Sequence, residues 1–267
     1  MIANKIIREA SFVKLLITIS LSTIFINSCN NDLNNSDISF STKTEYIPVN
    51  SSSIANIDSN MYKEIAPYKS HLDSSMTVQI GYTDSEIFKQ QPNGLLNNLS
   101  ADMLMEEAKL ATKNTNHTPD FCLLNYGGLR YSLPNGKITL ADVYQMMPFD
   151  NELVILKLSG EKVDSIFKYI AFTGGQPIAG CTIEVAKNKY RNAKINGKDF
   201  DKSKSYFVLT SDYLASGGDK MNFLQNPLAS FDTGLLLRDA MINYIKKESS
   251  KGRKIIASNE KRIKLLR

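Results

Sequence analysis

Along this chain, short apolar runs alternate with longer stretches of helical periodicity. Val78–Thr83, Phe121–Leu124, Leu153–Leu158, Cys181–Val185 and Tyr206–Thr210 are compact apolar or β-branched segments bounded by polar or glycine-containing turns, which predicts strands. Asn93–Thr112 places Leu95, Leu96, Leu99, Met103 and Leu110 on one helical face, with Asn98, Asp102 and Glu106 on or near its edge. Asp58–Ser75 repeats that spacing with Met61, Ile65, Tyr68 and His71-Leu72, and predicts an amphipathic helix despite Pro67. Further helices are expected over Ile138–Met147, with Thr139 as a cap, over Glu161–Phe172 and over Thr233–Lys247. A hairpin is expected within Lys187–Lys204 around Asn196-Gly197, and Ile263–Leu265 reads as a closing strand. Interspersed helices and strands give a mixed α/β or α+β class.

The first thirty residues follow a different pattern. Lys5, Arg8 and Lys14 precede an apolar stretch, Leu15–Ile26, that is short for a bilayer span and ends at Ser28-Cys29. This resembles a bacterial lipoprotein signal over residues 1–28 with Cys29 as the lipidated residue; the competing reading is an ordinary secretory signal that contains a cysteine. The polar segment 29–57 then serves as a tether. The expected location is the bacterial cell envelope, lipid-anchored, either periplasmic or surface-exposed.

Charge adds little. The formal net charge of +5 falls to +3 once Lys5, Arg8, Glu9 and Lys14 are set aside, too mild to point to nucleic acid. Cys122 and Cys181 both lie in apolar runs, so either a disulfide or two buried thiols fits. With only His71 and His117, and no zinc-like spacing, neither metal nor catalytic residues are expected in this chain.

The candidate chemistry sits in two glycine loops. Phe121–Arg130 (FCLLNYGGLR) runs from a strand into a turn bracketed by the amide of Asn125 and the planar cation of Arg130. Gly127 and Gly128 let that backbone turn sharply and approach a neighbour closely. Tyr213–Asp219 (YLASGGD) follows a second strand in the same way.

Taken in order, N-x-G-G-x-R at 125–130, G-x-I-T-x-x-D-V-x-x-x-x-P-F at 136–149, L-x-G at 158–160 and Y-L-A-S-G-G-D at 213–219 resemble the C-terminal domain of the 5′-nucleotidases. The resemblance runs from about Asp58 to Leu266. It implies a four-layer α/β/β/α module over 77–267 that binds the nucleoside part of a nucleotide. Residues 58–76 would match the helix that links it to an N-terminal metallophosphatase domain. By the same resemblance, Phe149 and Tyr213 are two rings that sandwich the base, and Asp219 accepts from the ribose hydroxyls while also suiting a loop cap. Asn125 would contact base or ribose, Arg130 would lie near ribose and phosphate, Gly127 and Gly128 would let the loop pass close, and Asn151 would add a polar contact. One arginine of the family falls near Pro92, with only Lys89, Gln90 and Gln91 beside it.

No metallophosphatase motif is present in the sequence, so two functions are expected. The first is the nucleotide-binding module of a split 5′-nucleotidase, with a separate metallophosphatase subunit that carries the divalent metals. The second is a stand-alone nucleoside- or nucleotide-binding lipoprotein.

Overall fold

The computed structural model describes residues 59–266. The leader, Cys29 and the tether therefore lie outside the described residues. The helix expected at Asp58–Ser75 is present as α1, Ser59–Met76, with Pro67 inside it and none of its residues buried.

The centre of the fold is a five-stranded sheet. Its strands are β2 (Phe121–Leu123), β4 (Glu152–Ser159), β5 (Ile178–Ala179), β9 (Ser205–Ser211) and β10 (Ala229–Leu236). They lie in the order β10-β4-β9-β2-β5. β2 runs parallel to β9, while β4 is antiparallel to both β9 and β10. The sheet is buried on both faces, which explains the unbroken apolar runs of its inner strands. Cys122, Leu153, Ile155 and Leu209 belong to one core. Phe121, Leu123, Val154, Leu156 and Val208 belong to the other. The period-two side-chain alternation of a strand divides them this way.

On the first face lie α2 (Leu95–Ala111), α3 (Leu140–Met146) and α6 (Leu237–Ser250), with the small sheet of β1 (Gln79–Thr83) and β3 (Gly136–Thr139). On the second lie α4 (Gly160–Phe172), the one-turn α5 (Asp212–Ala215) and a four-stranded sheet. That sheet comprises β6 (Cys181–Ala186), β7 (Lys189–Ile195), β8 (Lys198–Asp199) and β11 (Ile263–Leu265), in the order β11-β6-β7-β8. Phe167 of α4 joins the layers. Its ring lies 6.0 Å from Phe121 of the central sheet and 5.7 Å from Tyr190 of β7. The mixed α/β class expected from the sequence is the class observed, and Cys122 and Cys181 are both buried free thiols.

Local rules fix the borders. Thr139 accepts from the Asp142 N–H, and the Asp142 carboxylate accepts from the Thr139 N–H, a reciprocal capping box at the start of α3. Asn196 and Gly197 both take positive φ, which suits the two-residue turn between β7 and β8.

Two expected helices begin later than their periodicity indicates. Ile138–Thr139 belongs to β3, because Ile138 pairs with Gly81 of β1, and α3 starts only at Leu140. Thr233 belongs to β10, whose pairing with β4 runs from Ala229 to Leu236, so α6 starts at Leu237. In both cases pairing with a neighbouring strand overrides local helical periodicity.

Candidate functional site

Strand directions bring four chain segments to one end of the central sheet. β2 and β9 end there in parallel, β10 ends there, and the antiparallel β4 begins there, with Leu153 opposite Ser211 and Glu152 opposite Leu236. The segments leaving those ends line one cavity of about 370 Å³, within the usual range of small-molecule sites. All eight residues expected from the sequence line it: Asn125, Gly127, Gly128, Arg130, Phe149, Asn151, Tyr213 and Asp219. Leu124, Met147 and Leu237 complete the lining. These three are buried apolar side chains, and nothing in the sequence separates them from ordinary core.

The two glycine loops meet at Asp219. The Asn125 side-chain amide donates to Oδ2 of Asp219 at 2.7 Å, and the Tyr213 hydroxyl donates to Oδ1 at 2.9 Å. The Asp219 N–H donates back to the Tyr213 hydroxyl at 3.2 Å, and the Tyr169 hydroxyl donates to the Asp219 carbonyl at 2.8 Å. Asp219 adopts a left-handed conformation, φ 50°, which Asp tolerates better than most residues. This exposed acidic residue is thus held in place by three side chains. Partial burial, then the nearby Asp219 and Tyr213, raise the Tyr169 phenol above its ordinary value. Tyr169 therefore remains a neutral donor.

The glycines have distinct jobs. Neither Gly127 nor Gly128 takes a positive φ, so the sharp turn expected of them is made with ordinary dihedral angles, as a short 3₁₀ turn over Tyr126–Gly128. Gly128 is favoured by proximity, since a Cβ there would sit 2.6 Å from the side-chain Oδ1 of Asn125 and push it back. In the second loop, Gly217 takes φ 94° and Gly218 lies against the Tyr213 ring, where a Cβ would meet ring carbons at 2.5 Å. The Tyr213 ring is therefore seated on backbone and anchored at its hydroxyl.

Lys89 and Gln176 support the first loop, and no local sequence pattern marks either. The Lys89 ammonium donates to the carbonyls of Leu129 (2.5 Å) and Tyr126 (3.4 Å), and lies 4.5 Å from the Tyr126 ring centroid. Desolvation, then the nearby Arg130, lower its pKa below the ordinary lysine value. Lys89 thus spends its hydrogen bonds on the loop. Buried Gln176 accepts from the Tyr126 N–H at 2.7 Å. The Arg130 backbone N–H donates to the Met146 carbonyl at 2.8 Å, and its exposed guanidinium lies 5.2 Å from the Phe149 ring centroid.

Chemically, the cavity joins an apolar floor and two aromatic rings to one carboxylate, one guanidinium and two side-chain amides. Such a set suits a ligand with a flat face, hydroxyl donors and an anionic group. Among the described residues no group of His, Cys, Asp and Glu is arranged to hold a metal ion.

Comparison with known proteins agrees with this architecture. Residues 79–226 match the family model described as 5′-nucleotidase, C-terminal domain. Protein UshA of Yersinia enterocolitica is 25% identical over 200 residues, covering 72% of this chain and 35% of that protein. The 5′-nucleotidase of Vibrio vulnificus is 27% identical over 207 residues, with coverage of 72% and 35%. The chain thus spans about a third of the length of these relatives. Among solved structures, the 5′-nucleotidase precursor of Thermus thermophilus superposes with a TM-score of 0.65 at 22% identity, covering 78% of this chain and 43% of that one, which shows a shared fold. From the family match across more than half of its length, the chain belongs to the 5′-nucleotidase C-terminal domain family.

Proposed function

We propose that the cavity binds the nucleoside part of a nucleotide. In this reading Phe149 and Tyr213 flank the base, Asp219 accepts from the ribose hydroxyls, and Arg130 faces the phosphate end. Asn125 and Asn151 add amide contacts, and Gly127 and Gly128 keep the first loop close to the ligand. The observation that carries the proposal is the convergence of both rings, the carboxylate and the guanidinium on one cavity from segments far apart in the chain. A base stacked on an aromatic ring gains about 1–3 kcal/mol. Calorimetry with adenosine, AMP and ribose 5-phosphate tests it: adenosine and AMP bind and the base-free sugar phosphate binds more weakly. Equal affinity for all three, or no binding, refutes it.

The finer reading is a split 5′-nucleotidase. This chain would supply the substrate-binding module, and a separate metallophosphatase subunit would carry the divalent metals and the hydrolysis. Cys29 would anchor the module by a lipid in the bacterial cell envelope, with residues 29–57 as tether. Support comes from the scarcity of ligand residues, two histidines in the whole sequence, against the several His and Asp ligands of a two-metal site. Co-purification followed by AMP hydrolysis decides it, because activity should appear in the mixture and exceed that of the phosphatase alone. A mixture no more active than the phosphatase favours the second reading, a nucleoside- or nucleotide-binding lipoprotein without catalysis. Metabolic labelling with a fatty acid, lost in C29A, tests the anchor.

A further inference from the structure

The turn that carries Phe149 is held from beneath by Arg238, the second residue of α6, whose side chain is buried and does not line the cavity. We propose that Arg238 is the positioning residue that sets the Phe149 ring at the cavity wall and thereby controls recognition of the flat base of a ligand. This inference rests on the nucleoside reading of the cavity. One guanidinium nitrogen, Nη1, donates to the carbonyls of both Met147 and Phe149 at 3.4 Å. Nη2 donates to the carboxylate of Asp150. The guanidinium carbon lies 4.1 Å from the Tyr144 ring centroid, a contact that steadies it from the α3 side. Beside it, the Leu237 N–H donates to the Asn151 carbonyl at 2.9 Å. The start of α6 therefore grips residues 147, 149, 150 and 151, and Arg238 supplies three of those contacts.

Burial of this arginine is poorly explained by stability. Its only carboxylate partner among the described residues, Asp150, has a side chain 74% exposed. Its buried Nε has no hydrogen-bond partner among the described residues, a desolvation cost left uncompensated. An apolar residue of similar size would spare that cost. What an apolar residue lacks is a rigid fork able to bind several acceptors of one turn at once. Pro148 has no N–H to donate, and the carbonyls on either side of it, at 147 and 149, accept from Arg238.

The test is a double-mutant cycle of R238A and F149A, read by calorimetry with adenosine and with ribose 5-phosphate, alongside urea unfolding. R238A should weaken adenosine binding about tenfold and ribose 5-phosphate less than about twofold. In the F149A background R238A should cause no further loss, because the ring it positions is gone. A general structural defect would weaken both ligands and persist in that background, which overturns the inference. Unchanged adenosine affinity in R238A overturns it too, while F149A still reports on the cavity. If F149A alone leaves adenosine binding unchanged, the nucleoside reading falls and this inference with it. Should R238A not fold, R238K takes its place under the same criteria, since it keeps the buried charge but loses the fork.

Discussion

Replacing Gly128 by alanine separates the contribution of loop proximity from that of loop flexibility. A Cβ at position 128 would lie 2.6 Å from Oδ1 and 3.2 Å from Cγ of Asn125. Ordinary contact begins near 3.4 Å, so the Asn125 amide must retreat by about 0.8 Å. That displacement stretches its 2.7 Å hydrogen bond to Asp219 to the limit of a hydrogen bond. Losing a hydrogen bond of this kind costs about 0.5–1.5 kcal/mol, the lower range for a pair that is half exposed. The expected result is an adenosine affinity weaker by roughly two- to fivefold, by calorimetry. Global stability should change little, because alanine reduces the freedom of the unfolded chain by an amount that offsets most of the lost hydrogen bond. At Gly127 a Cβ would meet nothing nearer than Asp219 Oδ2 at 3.8 Å, so G127A should bind almost as the parent does. Equal losses in G127A and G128A, or no loss in G128A, would refute the proximity argument.

Three further outcomes are expected. Y213F removes both hydroxyl contacts to Asp219 while keeping the ring, so adenosine affinity should drop roughly two- to tenfold and 2′-deoxyadenosine affinity less; equal losses for both ligands would contradict a role through the ribose carboxylate. Burial pushes the Cys181 thiol up to about 12 from 9.0, so it should resist iodoacetamide in the native protein and react in urea. The same shift means the unfolded chain ionises first, so this thiol's contribution to stability is full below about pH 9 and is lost as pH rises above it; urea midpoints in C181A should fall less steeply with alkaline pH than those of the parent, the remaining fall including that of the equally buried Cys122. F167A removes the fully buried ring that joins the central sheet to β7 and should lower unfolding free energy by about 3–5 kcal/mol, read by urea titration; a loss below about 1 kcal/mol would show that the layers are held elsewhere.

How much of this is legible in the sequence depends on whether the physical cause is local. The inner strands β2, β4 and β9 are buried on both faces and therefore appear as unbroken apolar runs. Thr139 and Asp142 announce the start of α3 because a capping box spans four residues. The edge strand β10 escapes the pattern, since Ser230, Asp232 and Thr233 interrupt its apolar positions and its exposed residues alternate with half-buried ones. Edge strands carry such polar residues because one side of the ladder faces no partner. In the site, the two glycine loops mark themselves by composition, and Phe149, beside Pro148, is picked out through the resemblance to the family. Their supports do not: Lys89 reaches a carbonyl 40 residues away, Gln176 an amide 50 away and Arg238 a carbonyl 89 away. Such contacts exist only once the sheet has brought the segments together, so no local spacing encodes them. The floor residues Leu124, Met147 and Leu237 are hidden for another reason, being chemically indistinguishable from core.

The central claim is that Phe149 presents its ring to a stacked base, and the most direct test is adenosine binding to F149A by calorimetry. Phe149 is only half buried, so its truncation should leave the fold intact and remove the ring's contact with the ligand. The expected result is an affinity lower by about 1–3 kcal/mol, roughly five- to 150-fold, with ribose 5-phosphate affinity unchanged. Adenosine affinity equal to that of the unsubstituted protein would contradict it and remove the base from this cavity.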